Sequence, residues 1–468
     1  TTMASSKLLL HEVCSLPLSL WKHISNFADG LILSGWERRF RFREITHAAE
    51  NGHIGLLDLV RTEAWPGYSV EQKEALARSA ALGKIESVRW LHMYRSDGCT
   101  SAAIDGAASN GHLSIVEFLH CFRTEGCSKK ALDCASGNGH LEVVKFLHHN
   151  RKEGCTKNAM DMAAKNGHLS VVEWLDANRF EGYSKKAITH ASKNGHLAVL
   201  EFFHKRNRSA VAWTEGALDM AALNGQISVV EFLHHSMGAK CTPKAMDGAA
   251  CNGHLSTVEF LHHHRSEGCS SSAIDNAACN GHLAVVRFLH YNRSEGCTTN
   301  AMDFAACNGH LTVVEFLHEN RSEACTMHAF HSAAGNGHLS IIEFLHRFRR
   351  EGCSTAAFDC AAANGHLKVV EFLHANRSEG GTQGAMDQAS RYGHASVVEW
   401  IHYNRSEGCS SSAVIQASKN GHLSVVRFLL IARTEGSVDI AFRSARRHCQ
   451  QHVVDYLASI MAGWGGHS

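Results

Sequence analysis

Proline is scarce in this chain: Pro17, Pro66 and Pro243 are the only three in 468 residues, against an average of about 5%. So small a supply of the residue that breaks helices predicts a chain that is almost all helix. An excess of one charge is lacking too. The net charge of +1 supplies no global attraction to nucleic acid or to an acidic membrane. No apolar run approaches the roughly 18 residues of a membrane-crossing helix, and Leu8-Leu9-Leu10 is too short for a signal-peptide core. Met3 reads as the native start, behind Thr1 and Thr2. No Cys-x-x-Cys pair occurs among the 17 cysteines, so the plainest zinc signature is missing.

What is present is a repeat. An Asn-Gly-His-Leu-like motif recurs every 28 residues, its histidines being His112, His140, His168, His196, His254, His282, His310, His338, His366, His394 and His422. A Val-Val-Glu-Phe-Leu-His-like run follows each, and an Ala-Met-Asp-x-Ala-Ala-like run precedes it. A fixed period of this size predicts a solenoid, whose units bury their apolar faces against their neighbours. Hydrophobic residues make up 44% of the chain, enough for one continuous core. Most cysteines share the period: Cys99, Cys127, Cys155, Cys241, Cys269, Cys297, Cys325, Cys353 and Cys409 hold one position in successive units. Stacked helices lie about 8–10 Å apart, beyond the roughly 7 Å of a disulfide. These cysteines are therefore expected to be small apolar plugs in a reducing compartment. Asn-Arg-Ser sequons at Asn207, Asn292, Asn320, Asn376 and Asn404 agree with cytoplasmic or nuclear residence, because a secreted chain would be open to glycosylation there. Whether the chain acts in its own cell or is delivered into a host cell stays open.

One unit, residues 155–182, shows the local logic. Thr156 is placed to cap a helix over Lys157-Asn158-Ala159-Met160-Asp161-Met162-Ala163-Ala164, which holds no breaker. Asn166-Gly167 ends it, since glycine takes the left-handed conformation a helix C-terminus needs. Ser170 is placed to cap a second helix with Val171, Val172, Trp174 and Leu175 on its apolar face. Asn178-Arg179-Phe180-Glu181-Gly182 leads to the next unit. Ala163 and Ala164 are small where neighbouring first helices pack closely.

At these residues the chain resembles the ankyrin-repeat family. Thr-x-x-Ala-Met-Asp-x-Ala-Ala-x-Asn-Gly-His-Leu-x-Val-Val-Glu-Phe-Leu is similar to the family's Thr-Pro-Leu-His-x-Ala-Ala-x-x-Gly-His-x-x-Val-Val-x-x-Leu-Leu, and Cys241-Thr242-Pro243 restores the Thr-Pro at one rung. The resemblance runs in register over about 45–459 and implies an all-α, ankyrin-like helix-turn-helix solenoid of about fifteen repeats. At about 8–10 Å per rung it would exceed 100 Å in length. Two features depart from the family. Its units are about 33 residues long, so about five are missing here, where the β-hairpin finger should be. Its helix-one His is mostly replaced by Asp (Asp105, Asp133, Asp161, Asp219, Asp247, Asp275, Asp303, Asp359 and Asp387). The short, Cys- and His-rich form is similar to ankyrin-like repeats expanded in oomycetes. With the finger reduced or absent, binding is expected on the first helices, the concave face.

Thirty-six histidines invite a metal reading, but the two histidine ladders recur because the fold recurs. No metal, cofactor or catalytic residue is expected, since a catalytic site is singular and pairs such as Asp161 with His168 appear at rung after rung. Ile415 and Gln226 replace members of those pairs, which suits residues that satisfy loop backbone groups. The Arg-x-Glu ladder (Arg293 with Glu295, Arg321 with Glu323, Arg377 with Glu379) reads as a solvated edge of weak ion pairs. The positions that vary are more telling. On three consecutive first helices they hold Lys129, Lys130, Lys157, Met162, Lys165, Lys185, Lys186, His190 and Lys193, a basic patch suited to an acidic partner or an ordinary charged face. Farther on they hold Asn276, Phe304, Met327 and His328. A surface whose character changes along its length suits an extended protein partner.

Between His112 and His422 the period is broken once. From His196 to Gln226 the spacing is 30, and Trp213 and Gly238 appear nearby. A seam or hinge is expected around 205–240, opening first near Arg208. Residues 1–44 stand outside the period. Leu16-Pro17-Leu18-Ser19-Leu20-Trp21-Lys22-His23-Ile24-Ser25-Asn26-Phe27, with Trp36-Glu37-Arg38-Arg39, resembles the start and end of an F-box. That implies docking of a Skp1-type ubiquitin-ligase adaptor through Leu16, Pro17, Leu20, Trp21, Ile24 and Phe27. The other reading of 1–44 is a helical cap on the first repeat. Residues 45–459 form the solenoid and 460–468 a tail. The function expected is non-catalytic protein binding along the first-helix face; the alternative is a substrate receptor of a Skp1-cullin ligase.

Overall fold

A computed structural model describes residues 47–54, 57, 69–94, 100–206, 215–433 and 437–464. The F-box-like residues Leu16, Pro17, Leu20, Trp21, Ile24 and Phe27 lie outside the described residues, as do Cys99, Asn207, Arg208, Trp213 and the last four residues of the tail. The described residues are helices joined by short turns, with no strand among them. The finger is therefore absent from every described rung. The chain divides into two compact units, the first ending at Ala217 and the second beginning at Leu218. Each is a helical-repeat solenoid.

In the first unit the rung at 155–182 folds as follows. Thr156 has extended backbone, and its hydroxyl accepts the Asn158 N–H at 3.1 Å, capping the helix Lys157–Lys165. Asn166 ends the helix and Gly167 follows at φ +78°. The His168 N–H then returns to the Ala163 carbonyl at 2.9 Å. The second helix, Leu169–Asn178, springs directly from this turn with His168 at its N-cap, so Ser170 lies inside the first turn and caps nothing. The core is Ala159, Met160, Ala163 and Ala164 from the first helix and Val171, Val172 and Leu175 from the second. Each buried Val or Leu contributes about 1.5–3 kcal/mol. Trp174 departs from expectation: it is half-buried and meets His148 of the preceding rung edge-on, ring centroids 5.0 Å apart. The other rungs repeat this plan. Ala163 and Ala164 are fully buried where Lys129–Gly137 and Lys157–Lys165 lie against each other.

Successive rungs are tied by four recurrent contacts, and these absorb the constant polar residues. In the first, Asp133 accepts both the N–H and the hydroxyl of Thr156, the cap of the next rung, at 2.8 and 2.6 Å. Asp105, Asp161, Asp219, Asp247, Asp275, Asp303, Asp359 and Asp387 do the same. In the second, the amide of Asn166 donates to the Gly137 carbonyl at 2.6 Å, satisfying an orphan group at the end of the preceding helix. In the third, the imidazole of His168 lies so close to Gly139 that a Cβ there would sit 2.6 Å from its Nδ1; His112 and His338 donate Nε2–H to the carbonyls of Ala81 and Cys307. Glycine is thus needed twice at that turn, for its positive φ and for the space.

The fourth contact corrects the expected solvated edge. Arg151 pairs with Glu153, which also accepts the Cys127 N–H at 3.3 Å. Arg179, in turn, donates to Nδ1 of His148 in the preceding rung at 3.4 Å. These side chains are recessed rather than solvated: Arg265 and Glu267 are 14% and 27% exposed. Short loops without a finger fold the Arg stem back over the neighbouring rung, and Arg377 lies 5.6 Å above the Phe330 ring. Burial raises the Glu153 carboxyl, but hydrogen bonds from Arg151 and the backbone outweigh it and hold the group at about 2.

Candidate functional site

The thiols of the cysteine ladder face inward, as expected. Burial pushes Cys127 up to about 11, with the nearby Glu153 charge adding to it, and pushes Cys269 up to about 12. These thiols are protonated plugs and poor nucleophiles. All described cysteines are free. Among the described residues no group of three or more His, Cys, Asp or Glu side chains could hold a metal ion, and no helix is long and apolar enough to cross a membrane.

The outer surface of the first helices is left free of these ties. On Lys129–Gly137, Lys157–Lys165 and Lys185–Asn194 the side chains of Lys129, Lys130, Lys157, Lys165, Lys185, Lys186 and Lys193 are all exposed. The acids of these helices are Asp133 and Asp161, both buried and both committed to the next rung's cap. The nearby loop acids Glu125, Glu153 and Glu181 are paired with Arg123, Arg151 and Arg179. The lysines therefore stand without a competing carboxylate. Five of them occupy the first turn, where the helix dipole already presents positive potential and an acid would be the stabilising choice. His190 is half-buried in this field. Burial lowers its pKa first, and then the charges of Lys165, Lys193 and Lys186 lower it further against the opposing pull of Asp161. Met162 is exposed at its rim but lies over Gly137 of the preceding helix, so part of its role is packing.

In the second unit three consecutive first helices carry no Lys or Arg on the same surface. Asn276, Phe304, Met327 and His328 are exposed on the helices Ser272–Cys279, Thr299–Cys307 and Met327–Gly335. Between them Cys251, Cys279 and Cys307 line the helix ends, each within reach of an amide from the next rung (Asn280, Asn308, Asn336). The lysine surface and the neutral surface are described unit by unit, and each groups the residues picked out as variable. Their being spared by the inter-rung network was not read from the sequence. The signal was there: where Ile415 replaces the aspartate, the next rung has Val438 at the cap position and Ser437 caps instead.

Two ankyrin-repeat family models match the chain, one over residues 104–181, 246–328 and 303–383, the other over 160–204. The chain belongs to the ankyrin-repeat superfamily. Within this ankyrin array His331 stands where the family motif has histidine, and its Nε2 accepts the Ser354 N–H at 2.9 Å. Aspartate does the same work at nine other rungs, which is why the replacement is tolerated. No curated protein matches the chain. Among solved structures, the pentatricopeptide repeat protein PPR10 from maize aligns over 99% of this chain and 73% of its own, at 11% identity and a TM-score of 0.31. It is another helical-repeat protein, too loosely alike to bear on function.

Proposed function

We propose that the chain is a non-catalytic scaffold that holds a protein partner along the first-helix face. Ankyrin repeats are typically scaffolds of this kind. The observation that carries the reading here is a division of labour. The constant polar residues are spent on capping and on ties between rungs, while on the first helices the residues that change from rung to rung include exposed ones that take no part in those ties. The lysine-bearing rungs favour an acidic partner, and the change to Phe304 and Met327 farther along favours an extended one. Free thiols support residence in a reducing compartment, and so do the sequons that begin at Asn292, Asn320, Asn376 and Asn404, the last residues of second helices.

The test is recovery of a partner by the full chain from its own cells. A Lys157→Glu/Lys185→Glu variant and a Phe304→Ser/Met327→Ser variant are expected to lose it, and a second-helix Tyr291→Ser variant to keep it. The opposite pattern would move the site to the second helices. The ligase-receptor reading rests on the F-box-like residues Leu16, Pro17, Leu20, Trp21, Ile24 and Phe27. Co-purification of a Skp1-type adaptor with the full chain, lost in Leu20→Ala/Trp21→Ala, would support it; no adaptor with either would leave 1–44 as a cap.

A further inference from the structure

We propose that the lysine track across Lys129–Gly137, Lys157–Lys165 and Lys185–Asn194 docks an extended acidic segment that presents one carboxylate to each rung, at every third residue. This names the partner's chemistry at the first-helix face and rests on that reading. Three observations converge. The exposed charge of these helices is all positive, since Asp133 and Asp161 are buried in capping contacts and Glu153 and Glu181 are held by arginines. The lysines also sit where they oppose the fold's interest: Lys129, Lys130, Lys157, Lys185 and Lys186 add charge to helix N-termini that already repel cations. An arrangement that costs the helices stability makes sense if an anion lies across it. The third observation is register. First helices of neighbouring rungs lie about 8–10 Å apart. A polyproline-type segment rises about 3.1 Å per residue with three residues per turn, so residues i, i+3 and i+6 share a face about 9 Å apart. A β-strand would turn alternate carboxylates away.

Nucleic acid fits less well. These three helices carry no Arg and no Phe, Tyr or Trp, the residues that fork onto bases or stack under them. His190, among Lys165, Lys186 and Lys193, reports occupancy from within the track.

The experiment titrates the full chain with three fluorescent probes: (Glu-Pro-Pro)4, a peptide of the same composition with its glutamates adjacent, and single-stranded oligo-dT. The spaced peptide is expected to bind about tenfold more tightly than the bunched one, and to weaken with salt. Lys157→Glu/Lys185→Glu should abolish binding while the melting temperature holds or rises. With peptide bound, the His190 imidazole should titrate at a higher pH. Equal binding of the two peptides, tighter binding of the oligonucleotide through the same lysines, or no peptide binding would overturn the proposal. The scaffold reading fails separately. A natural partner kept by Lys157→Glu/Lys185→Glu but lost by Phe304→Ser/Met327→Ser would remove the acidic segment and leave the scaffold standing, whereas a partner lost by neither would remove the scaffold.

Discussion

Where a first helix carries the aspartate, that residue is the one on which its rung reads the next, and its geometry predicts what can replace it. Asp303 accepts the N–H and the hydroxyl of Thr326 at 2.8 and 2.7 Å, and one rung later His331 serves Ser354 through a single ring nitrogen. Asp303→His should therefore be nearly neutral, whereas Asp303→Leu strands a recessed donor pair and should cost about 1–3 kcal/mol; urea denaturation of both would show equal midpoints if the contact were idle. The same rings make stability depend on pH. His331 accepts a backbone N–H, and His148, His234 and His290 accept from Arg179, Arg265 and Arg321, so only neutral imidazoles fit. Burial first, then neighbouring positive charge, lowers all four below the ordinary 6.5. The unfolded chain then binds more protons below that value, so stability is complete above pH 6.5 and drains away as pH falls through it. Glu153 and Glu295, held at about 2 against an ordinary 4.5, act in a second window: their stabilisation is present above 4.5 and lost on the way down to 2. Urea midpoints at pH 7.5, 5.5 and 3.5 should fall in two steps. A level profile between the first two would dismiss the imidazole argument.

At the scale of the element, the helices were legible and the ties between them were not. Thr156 as cap, the stop at Asn166-Gly167 and the buried Ala163, Ala164, Val171, Val172 and Leu175 follow from local propensity and a 3.6-residue period. Trp174 and the exposure of the Arg-x-Glu pairs were misjudged because the groups that cover them belong to the neighbouring rung. Cap contacts join residues 23 apart, Asn contacts 29 and Arg–His contacts 31, offsets that straddle the 28-residue period and leave no mark within one unit's pattern. The variable lysines are exposed on the first helices, but that their surface is free of competing carboxylates follows only from knowing where Asp133 and Asp161 point. The turn glycines separate local from inter-rung effects by experiment. Gly139 at φ +81° has an imidazole where its Cβ would go, whereas Gly182 at φ +67° has nothing within 4 Å. Both alanine variants incur the left-handed penalty of about 1–2 kcal/mol. Only Gly139→Ala should add about 1–3 kcal/mol more for overpacking against His168. Equal losses in a thermal melt would mean that the imidazole yields freely and the ladder is not a tight fit.

For the whole molecule, stability is approximately a sum of rung terms and neighbour terms, so the place to look for weakness is the rung where the ties change partners. Three of them do so together. Thr189, at the aspartate position, donates to Lys185 of its own helix at 3.1 Å. Asn224 donates to the Met220 carbonyl four residues back at 2.8 Å. Gln226, in place of the turn histidine, donates to Asn224 at 3.3 Å. This is also where the period lengthens to 30 and where the compact units divide, between Ala217 and Leu218. If the neighbour term is as small there as these exchanges suggest, the two units should unfold in separate steps. Amides of Leu197–Lys205 and Glu215–Leu223 should exchange with deuterium before those of Lys157–Lys165 or Thr299–Cys307. Gly139→Ala, which weakens only the first unit, supplies the control: it should lower the first unfolding step and leave the second in place. A single transition that shifts as a whole, with even protection across 197–223, would show that the rung couples as strongly as the others despite its altered bonds. The stretch around 205–240 would then be an insertion the array absorbs, not a seam.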